Sequence, residues 1–327
     1  MLNPLVTVII PTKNAGSIFN KILTQVRSQK TDFDYNILII DSGSIDETLS
    51  IIIEHSKRDP RIKLHQIEPS EFGHGKTRNL GVSLSHSPYS VFITHDALPA
   101  NENWLSALIA PLQNDDNIVA VFGRHLPYSH CDPVVAHELT LHFDRLKPYP
   151  IVHLDDPARY SNDQNYRQFL HFYSDNNSAL RKSVWQKIPY PAIDFAEDQA
   201  WAKLIIEAGY KKAYADAAQV FHSHSYSIVE TLRRSFDESL AMRKLFGYKL
   251  CPHFYHIPLR TGKKTLKDWG YLLKSDSATA FFFVDLFRNL AQIFGYYLGS
   301  SETLSKFFGS TVSLDQAKKK KNNGKNV

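Results

Sequence analysis

NILIIDSGSIDETLS, residues 36–50, packs a strand, a loop and the start of a helix into one short stretch. Ile37 to Ile40 form an apolar run too short for a helix and rich in β-branched side chains, which is the pattern of a buried strand. Beyond the loop, Leu49, Ile52 and Ile53 recur at helical spacing, and Ser44 with Glu47 makes an S-x-x-E capping box, so a helix is expected from Glu47. Asp41 therefore stands at the carboxyl end of a strand. The same alternation continues outward. LVTVII (5–10) leads into a helical pattern reaching about Gln29, and IKLHQI (62–67) and SVFIT (90–94) follow with another helix between them. This βαβα order predicts an α/β fold, a mostly parallel sheet flanked by helices, whose ligands collect where strand ends and helix N-termini meet.

From about residue 100 the pattern loosens through Trp104, His125, His130, His137 and His142, then tightens at NNSALRKSVWQKI (176–188) and FAEDQAWAKLIIEAGY (195–210). In the latter, Trp201, Leu204, Ile205 and Ala208 share an apolar face and Gly209 stops the helix, so Glu197 and Asp198 fall at or just before its first turn. Beyond residue 228 the chain reads as helices. Between 283 and 297, Phe283, Leu286, Phe287, Leu290, Ile293, Phe294 and Tyr297 fall on one side and Asp285, Arg288, Asn289 and Gln292 on the other. Two settings suit such a helix: packing back onto the α/β domain, or lying in a membrane interface beside the lysine tail. The expected division is an α/β domain over 1–228 with halves 1–100 and 101–228, a helical region over 229–315, and a basic disordered tail over 316–327.

The chain has 327 residues, 43% hydrophobic and 22% charged, with a formal charge of +5. Much of that excess is Lys318 to Lys321 and Lys325, which leaves no basic stripe on the folded part and argues against nucleic acid. Cys131 and Cys251 are far apart and form no CxxC pair, which excludes a disulfide framework and suits a reducing, cytoplasmic setting. No export signal is read at the N-terminus, and the richest apolar window, Ala278–Leu298, carries Asp285 and Arg288, so no membrane-spanning helix is expected.

PTKN (11–14), DSGSIDET (41–48), THDA (94–97) and AEDQAW (196–201) carry the chemistry. Together they resemble the inverting, GT-A fold enzymes of glycosyltransferase family 2. FGHGKTRN (72–79), THDALP (94–99), FAEDQAWAK and HSHSY (222–226) are similar to its rhamnosyltransferase branch, which builds bacterial surface polysaccharides such as O-antigen. The resemblance spans roughly the first 230 residues. It implies transfer of L-rhamnose from dTDP-L-rhamnose to a saccharide acceptor, lipid-linked, at the cytoplasmic face of the membrane. A UDP-hexose or UDP-N-acetylhexosamine donor fits the same fold, since uracil and thymine share an edge. A glycan-binding module that has lost catalysis is the alternative from another class.

A nucleotide-diphosphate sugar calls for a group at the base edge and a cation at the phosphates. The resemblance assigns the base edge to Asp41, the first acid of a D-x-S-x-D motif, with Pro11, Thr12 and Asn14 framing base and ribose. Asp41, Ser42 and Ser44 equally suit a turn and a helix cap, and for Ser44 the cap is preferred. Around His74, Gly73 and Gly75 permit close backbone approach, and Lys76 and Arg78 suit phosphate. Arg78 suits a structural ion pair as well. There is neither a Walker loop nor a G-x-G-x-x-G after the first strand.

Asp96 stands where the family has a D-x-D motif, but Thr94 replaces the first acid and His95 precedes the second. One carboxylate with phosphate oxygens and waters suffices for Mg²⁺, and His222 or His224 as a further ligand favours Mn²⁺. Asp198 is the expected base that takes the acceptor's proton, and Glu197 either orients it or stabilises the helix dipole. Asn176 and Asn177 lie where related enzymes meet acceptor and donor sugar, although their amides also suit a turn.

Overall fold

The computed structural model describes residues 4–193, 195–274 and 281–313. The expected basic tail from 316 lies outside them. The chain divides into two compact units, one formed by residues 1–129 and 139–223, the other by 130–138 and 224–327. The boundary falls at 223/224 instead of 228, and it draws a short internal segment into the second unit.

In order, the first unit begins β1 (Val6–Thr12), α1 (Ile18–Arg27), β2 (Tyr35–Asp41), α2 (Thr48–Arg58), β3 (Ile62–Gln66), α3 (His74–Leu84), β4 (Tyr89–Ile93), β5 (Leu98–Pro99), α4 (Trp104–Asn114) and β6 (Ile118–Leu126). After α5 (Pro133–Asp144), which the division splits, come β7 (Ile151–Val152), α6 (Pro157–Asn162), α7 (Gln164–His171), β8 (Asn177–Arg181), α8 (Lys182–Trp185), α9 (Glu197–Glu207) and β9 (Lys211–Phe221). The sheet runs β3-β2-β1-β4-β8-β6-β9-β5, with β7 on β9.

β3, β2, β1 and β4 are mutually parallel, as the β-branched runs imply. β8 is inserted antiparallel between β4 and β6, so the second half of the sheet is mixed. Val6, Val8, Ile9 and Ile10 are sealed on both faces, and α1 lays Phe19, Ile22, Leu23 and Val26 on one of them at helical spacing. Because β1 sends its chain to β2 on one side and has β4 on the other, a crevice opens at their carboxyl ends. Thr12, Asp41 and the segment after Ile93 meet there.

Local expectations fare unevenly. α9 stops as expected at Gly209, whose φ is 85°. Leu204, however, is 41% exposed, and Ala202 and Ile206 take its place in the core. The S-x-x-E capping box does not form, because the Ser44 hydroxyl turns back to Asp41 and leaves α2 without a side-chain cap.

The second unit holds α10 (Ile228–Phe246), α11 (His256–Leu272), α12 (Phe281–Ser300) and α13 (Glu302–Val312). A complete capping box, Ser227 with Glu230, starts α10. On α12 the glycines face α10: a Cβ on Gly295 would lie 2.5 Å from the Leu232 carbonyl oxygen, and one on Gly299 2.6 Å from that of Phe236. Backbone meets backbone at those two turns.

Between α11 and α12 the packing is polar. Arg288 Nη2 donates to Asp285 Oδ1 at 2.8 Å, and Asn289 Nδ2 to Asp268 Oδ2 at 2.9 Å and Thr265 Oγ1 at 3.2 Å. Lys264 joins Asp268 at 3.2 Å and also pairs with Glu138. The two faces read from the sequence of α12 are real, but the charged one points inward: Asp285, Arg288 and Asn289 are buried while Phe283 is 75% exposed. Among the described residues no helix is long and apolar enough to cross a membrane.

Candidate functional site

The loops after β1 and β2 are sewn together. The Thr12 carbonyl accepts from Ser42 N at 3.0 Å and its hydroxyl at 3.2 Å. Asn14 N donates to Ser44 Oγ at 2.9 Å, and Ile45 N returns a bond to Asn14 Oδ1 at 2.9 Å. Ala15 N and Gly16 N reach Thr48 Oγ1 and Asp46 Oδ2 at 2.8 and 3.0 Å. Asp41 is fully buried at the centre of this seam. One carboxylate oxygen accepts from Gly43 N at 3.1 Å and Ser44 N at 3.0 Å, and the other takes the Ser44 hydroxyl. Gly43 is held at φ 83° against Pro69, where any side chain would collide. Asp41 thus shapes the loop with its own carboxylate.

A cleft opens beside this seam, lined among others by Pro11, Thr12, Ser42, His74, Arg78 and His95. His95 Nδ1 lies 3.3 Å from the Pro11 carbonyl oxygen, which ties the segment after β4 to the end of β1. Lys76 is exposed on α3. Gly75 was expected to let a phosphate approach, but the space a side chain would take is filled by protein. A Cβ there would lie 2.1 Å from the Pro191 carbonyl oxygen, so the glycine admits the 191–193 backbone.

Arg78 reaches this cleft from a buried acid cluster. Its Nε lies 2.9 Å from Asp175 Oδ2 and its Nη1 pairs with Glu197. The ion-pair reading of Arg78 is therefore the one its geometry realises, since its charge is already matched by two carboxylates. Burial works against that charge, yet Glu197, Asp175 and Asp198 together raise the guanidinium pKa above its ordinary value. Asp175 also accepts from the Ser178 hydroxyl at 2.6 Å and the Tyr190 hydroxyl at 3.0 Å. Burial pushes its carboxyl up despite Arg78.

Asp198 sits at the mouth of this cluster, half-buried, accepting from Gln199 N at 2.7 Å and Asp175 N at 3.3 Å. Burial, then the neighbouring Glu197 and Asp175 carboxylates, lifts its pKa well above the usual carboxylate range, with Arg78 opposing. Glu197 is committed to Arg78, and His74 Nδ1 stands 4.0 Å from it. Just before these acids Ala196 is left-handed, with φ 56°. The other non-glycine residue at positive φ among the described ones is Asn14. Asn14 directly follows Lys13, which lines the cleft, and Ala196 directly precedes the acid cluster; strained backbone is a mark of a working site.

Asp96 Oδ1 lies 3.6 Å from His222 Nε2, because β5 pairs Leu98 with Phe221 and so sets the segment after β4 beside the end of β9. Tyr128 donates its hydroxyl to the Asp96 carbonyl at 3.0 Å, and the buried His125 ring stacks edge-on against His222 with centroids 5.2 Å apart. His224 opens the second unit, where its ring stacks on Tyr226. Asn177 lies elsewhere. Its side chain is fully buried in the sheet, accepting from Trp104 Nε1 at 2.8 Å and donating to the Ala218 carbonyl at 2.8 Å. It pins three strands and has no surface to offer a sugar, while Asn176 beside it is half-buried. Asp175 and Tyr190 escaped the sequence reading. The available signal was an acid directly ahead of the Asn176–Asn177 pair at the start of a buried strand.

Residues 7–188 match the sequence profile of glycosyl transferase family 2. The chain is 34% identical over 239 residues to the O-antigen chain rhamnosyltransferase WbaN of Salmonella anatum, covering 72% of this chain and 71% of that one. Among solved structures, the mannosyltransferase PcManGT of Pyrobaculum calidifontis, in complex with GDP-Man and Mn²⁺, superposes with a TM-score of 0.52 at 15% identity. That match covers 99% of this chain and 80% of the other. Residues 1–349 of TarS from S. aureus, in complex with UDP-GlcNAc, give a TM-score of 0.51 at 16% identity, over 93% and 91% of the two chains.

Proposed function

The chain belongs to glycosyl transferase family 2, and on that premise we propose that it moves L-rhamnose from dTDP-L-rhamnose onto a saccharide acceptor, with inversion at the anomeric carbon. The choice of sugar is supported by the 34% identity to a rhamnosyltransferase of O-antigen synthesis. The reaction class is supported by one observation above the others: a half-buried carboxylate of raised basicity, Asp198, joined through Asp175 and Glu197 to Arg78, which lines a cleft at the carboxyl ends of the parallel strands.

In this reading the nucleotide lies across the β1 and β2 loops, whose framework Asp41 and Asn14 hold rigid, with Pro11, Thr12 and His95 forming the walls. Asp198 takes the proton of the acceptor hydroxyl as its oxygen bonds to the anomeric carbon, and the nucleoside diphosphate departs from the opposite face with the bonding electrons. Glu197 and Asp175, bridged by Arg78, fix the start of α9 and keep Asp198 basic. Lys76, exposed on α3, is assigned to the phosphates.

Asp96 and His222 suit a divalent cation. Ligand atoms 3.6 Å apart both reach an ion that bonds each at about 2.1 Å, and a carboxylate with an imidazole is a donor set for Mn²⁺ or Mg²⁺. When bound there, the cation neutralises charge developing on the departing diphosphate. Asn176 is assigned to the sugar, and Asn177 keeps only its place in the sheet. A lipid-linked acceptor would bring the enzyme to the cytoplasmic face of the membrane.

Slow hydrolysis of nucleotide sugars, followed by release of nucleoside diphosphate, tests the reading without an acceptor. dTDP-L-rhamnose is expected to be consumed faster than UDP-glucose or UDP-N-acetylglucosamine. Chelator is expected to stop the reaction, and added Mn²⁺ or Mg²⁺ to restore it. Preference for a UDP-sugar would overturn the donor assignment, and full activity in chelator the role of Asp96 and His222.

A further inference from the structure

The second unit turns part of its charge inward and a share of its leucine and phenylalanine outward, and that outer face points to a partner. On α11, Leu259, Leu266 and Leu273 repeat every seven residues and are 67%, 69% and 75% exposed. At helical spacing that repeat makes one stripe. Arg260, Lys263, Lys267 and Lys274 form a second exposed stripe along its flank. The one acid between residues 251 and 274, Asp268, is buried in the network with Asn289 and Lys264. α12 repeats the arrangement without the cations: Phe283, Phe287, Leu290 and Phe294 are exposed, and its one acid, Asp285, is buried. The helices run antiparallel, Trp269 Nε1 meeting the Phe282 carbonyl at 3.1 Å near one end and the Phe254 ring meeting Tyr297 near the other.

An apolar face this continuous is not an ordinary surface of a water-soluble helix. Water gains nothing from Phe283 and Phe287, whereas the charges that would have made this face soluble are spent inside the unit. Beside apolar contacts such as Ile257 with Ile293, small residues and polar groups join the helices, with Gly295 and Gly299 against α10 and Asn289 against α11, a kind of contact that helices also use where the surroundings are apolar. The flanking cations identify those surroundings. Lysine and arginine beside a leucine stripe extend their stems along apolar material and leave their charge at a polar, negative layer. A second copy docked face to face would set the same cations against each other.

We propose that the outer face of α11 and α12 is a docking surface for an anionic lipid bilayer, in which Leu259, Leu266, Leu273, Phe283 and Phe287 enter the acyl boundary while Arg260, Lys263, Lys267 and Lys274 meet lipid phosphates. The sequence beyond the described residues adds Lys318 to Lys321 to the same sign of charge.

Co-sedimentation of the full chain with vesicles tests the proposal, using phosphatidylethanolamine mixed with phosphatidylglycerol against phosphatidylcholine alone. Binding to the anionic vesicles, weakening as salt rises, is expected. Lys263→Gln with Lys267→Gln lowers that partition roughly 10- to 30-fold at low salt, at about one kcal/mol for each charge removed. Leu266→Ser with Phe287→Ser lowers it on both kinds of vesicle. Donor hydrolysis in both double variants stays at the wild-type rate, so a failed donor assignment and a failed docking surface give separate signals. Equal binding to the two vesicle types, no binding to either, or partition untouched by the variants overturns the proposal. So does a dimer in lipid-free buffer that dissociates in Leu266→Ser with Phe287→Ser.

Discussion

The two units distribute charge in opposite ways. In the first, apolar strands fill the interior and ionised groups gather at the carboxyl edge of the sheet, where Arg78, Asp175, Glu197 and Asp198 are brought together across more than a hundred residues of chain. In the second, the ion pairs Arg288–Asp285 and Lys264–Asp268 lie inside beside Phe236, Leu272 and Leu298, while the leucine stripe of α11 and the phenylalanines of α12 lie outside. Burying charge is costly in both. In the first unit the outcome is a carboxylate of raised basicity in a cluster whose Arg78 lines a cleft, where the proposed chemistry is placed. In the second, buried Arg288 lines a cleft with Asp132 and Ser225, and the outer faces of α11 and α12 carry the exposed leucines and phenylalanines proposed above to meet lipid.

Substitutions sharpen this contrast. Arg78→Leu leaves Asp175 and Glu197 buried without their cation and is expected to lower the unfolding free energy by about 3–5 kcal/mol, read as the shift of a urea midpoint. Next in size, Leu23→Ala in the sealed core of the first unit should cost about 2–5 kcal/mol. Gly75→Ala forces a methyl into the Pro191 carbonyl and is expected to cost about 1–3 kcal/mol, with the 191–193 segment displaced. Leu266→Ala, on the outer face of the second unit, should change stability by no more than about 0.5 kcal/mol. If Leu266→Ala destabilised as much as Leu23→Ala, the outward placement of the α11 leucine stripe would be refuted.

Much of this was legible in the amino-acid sequence. Short β-branched runs between helical patterns dictate the parallel half of the sheet, because a sealed strand has few other residues to use. The ends of those strands then place Thr12, Asp41 and Asp96 at one edge. Local rules went astray where a side chain had a stronger partner elsewhere: Ser44 matches a capping box, but the Asp41 carboxylate is nearer and charged. The Arg78–Asp175–Glu197 cluster was illegible because its members are joined only by tertiary packing, and the commitment of Asn177 to Trp104 is equally non-local. Periodicity separated most of the two faces of α12, although Ile293 is buried with the polar side. It carries no information about which face turns inward, and that choice depends on whether Asp268, Thr265 and Lys264 stand ready on the adjacent helix.

The most direct test of the central claim, that Asp198 is the base in sugar transfer, is turnover of wild type and Asp198→Asn measured across pH with donor and acceptor present. The acting form of a base is the unprotonated one, so wild-type turnover should fall as pH drops through the raised pKa of Asp198, above the ordinary carboxylate range. Asp198→Asn should retain the fold and donor binding, lose about 10²-fold or more in turnover and lose that acidic limb. Turnover near wild type, or an unchanged acidic limb in the variant, would contradict the account.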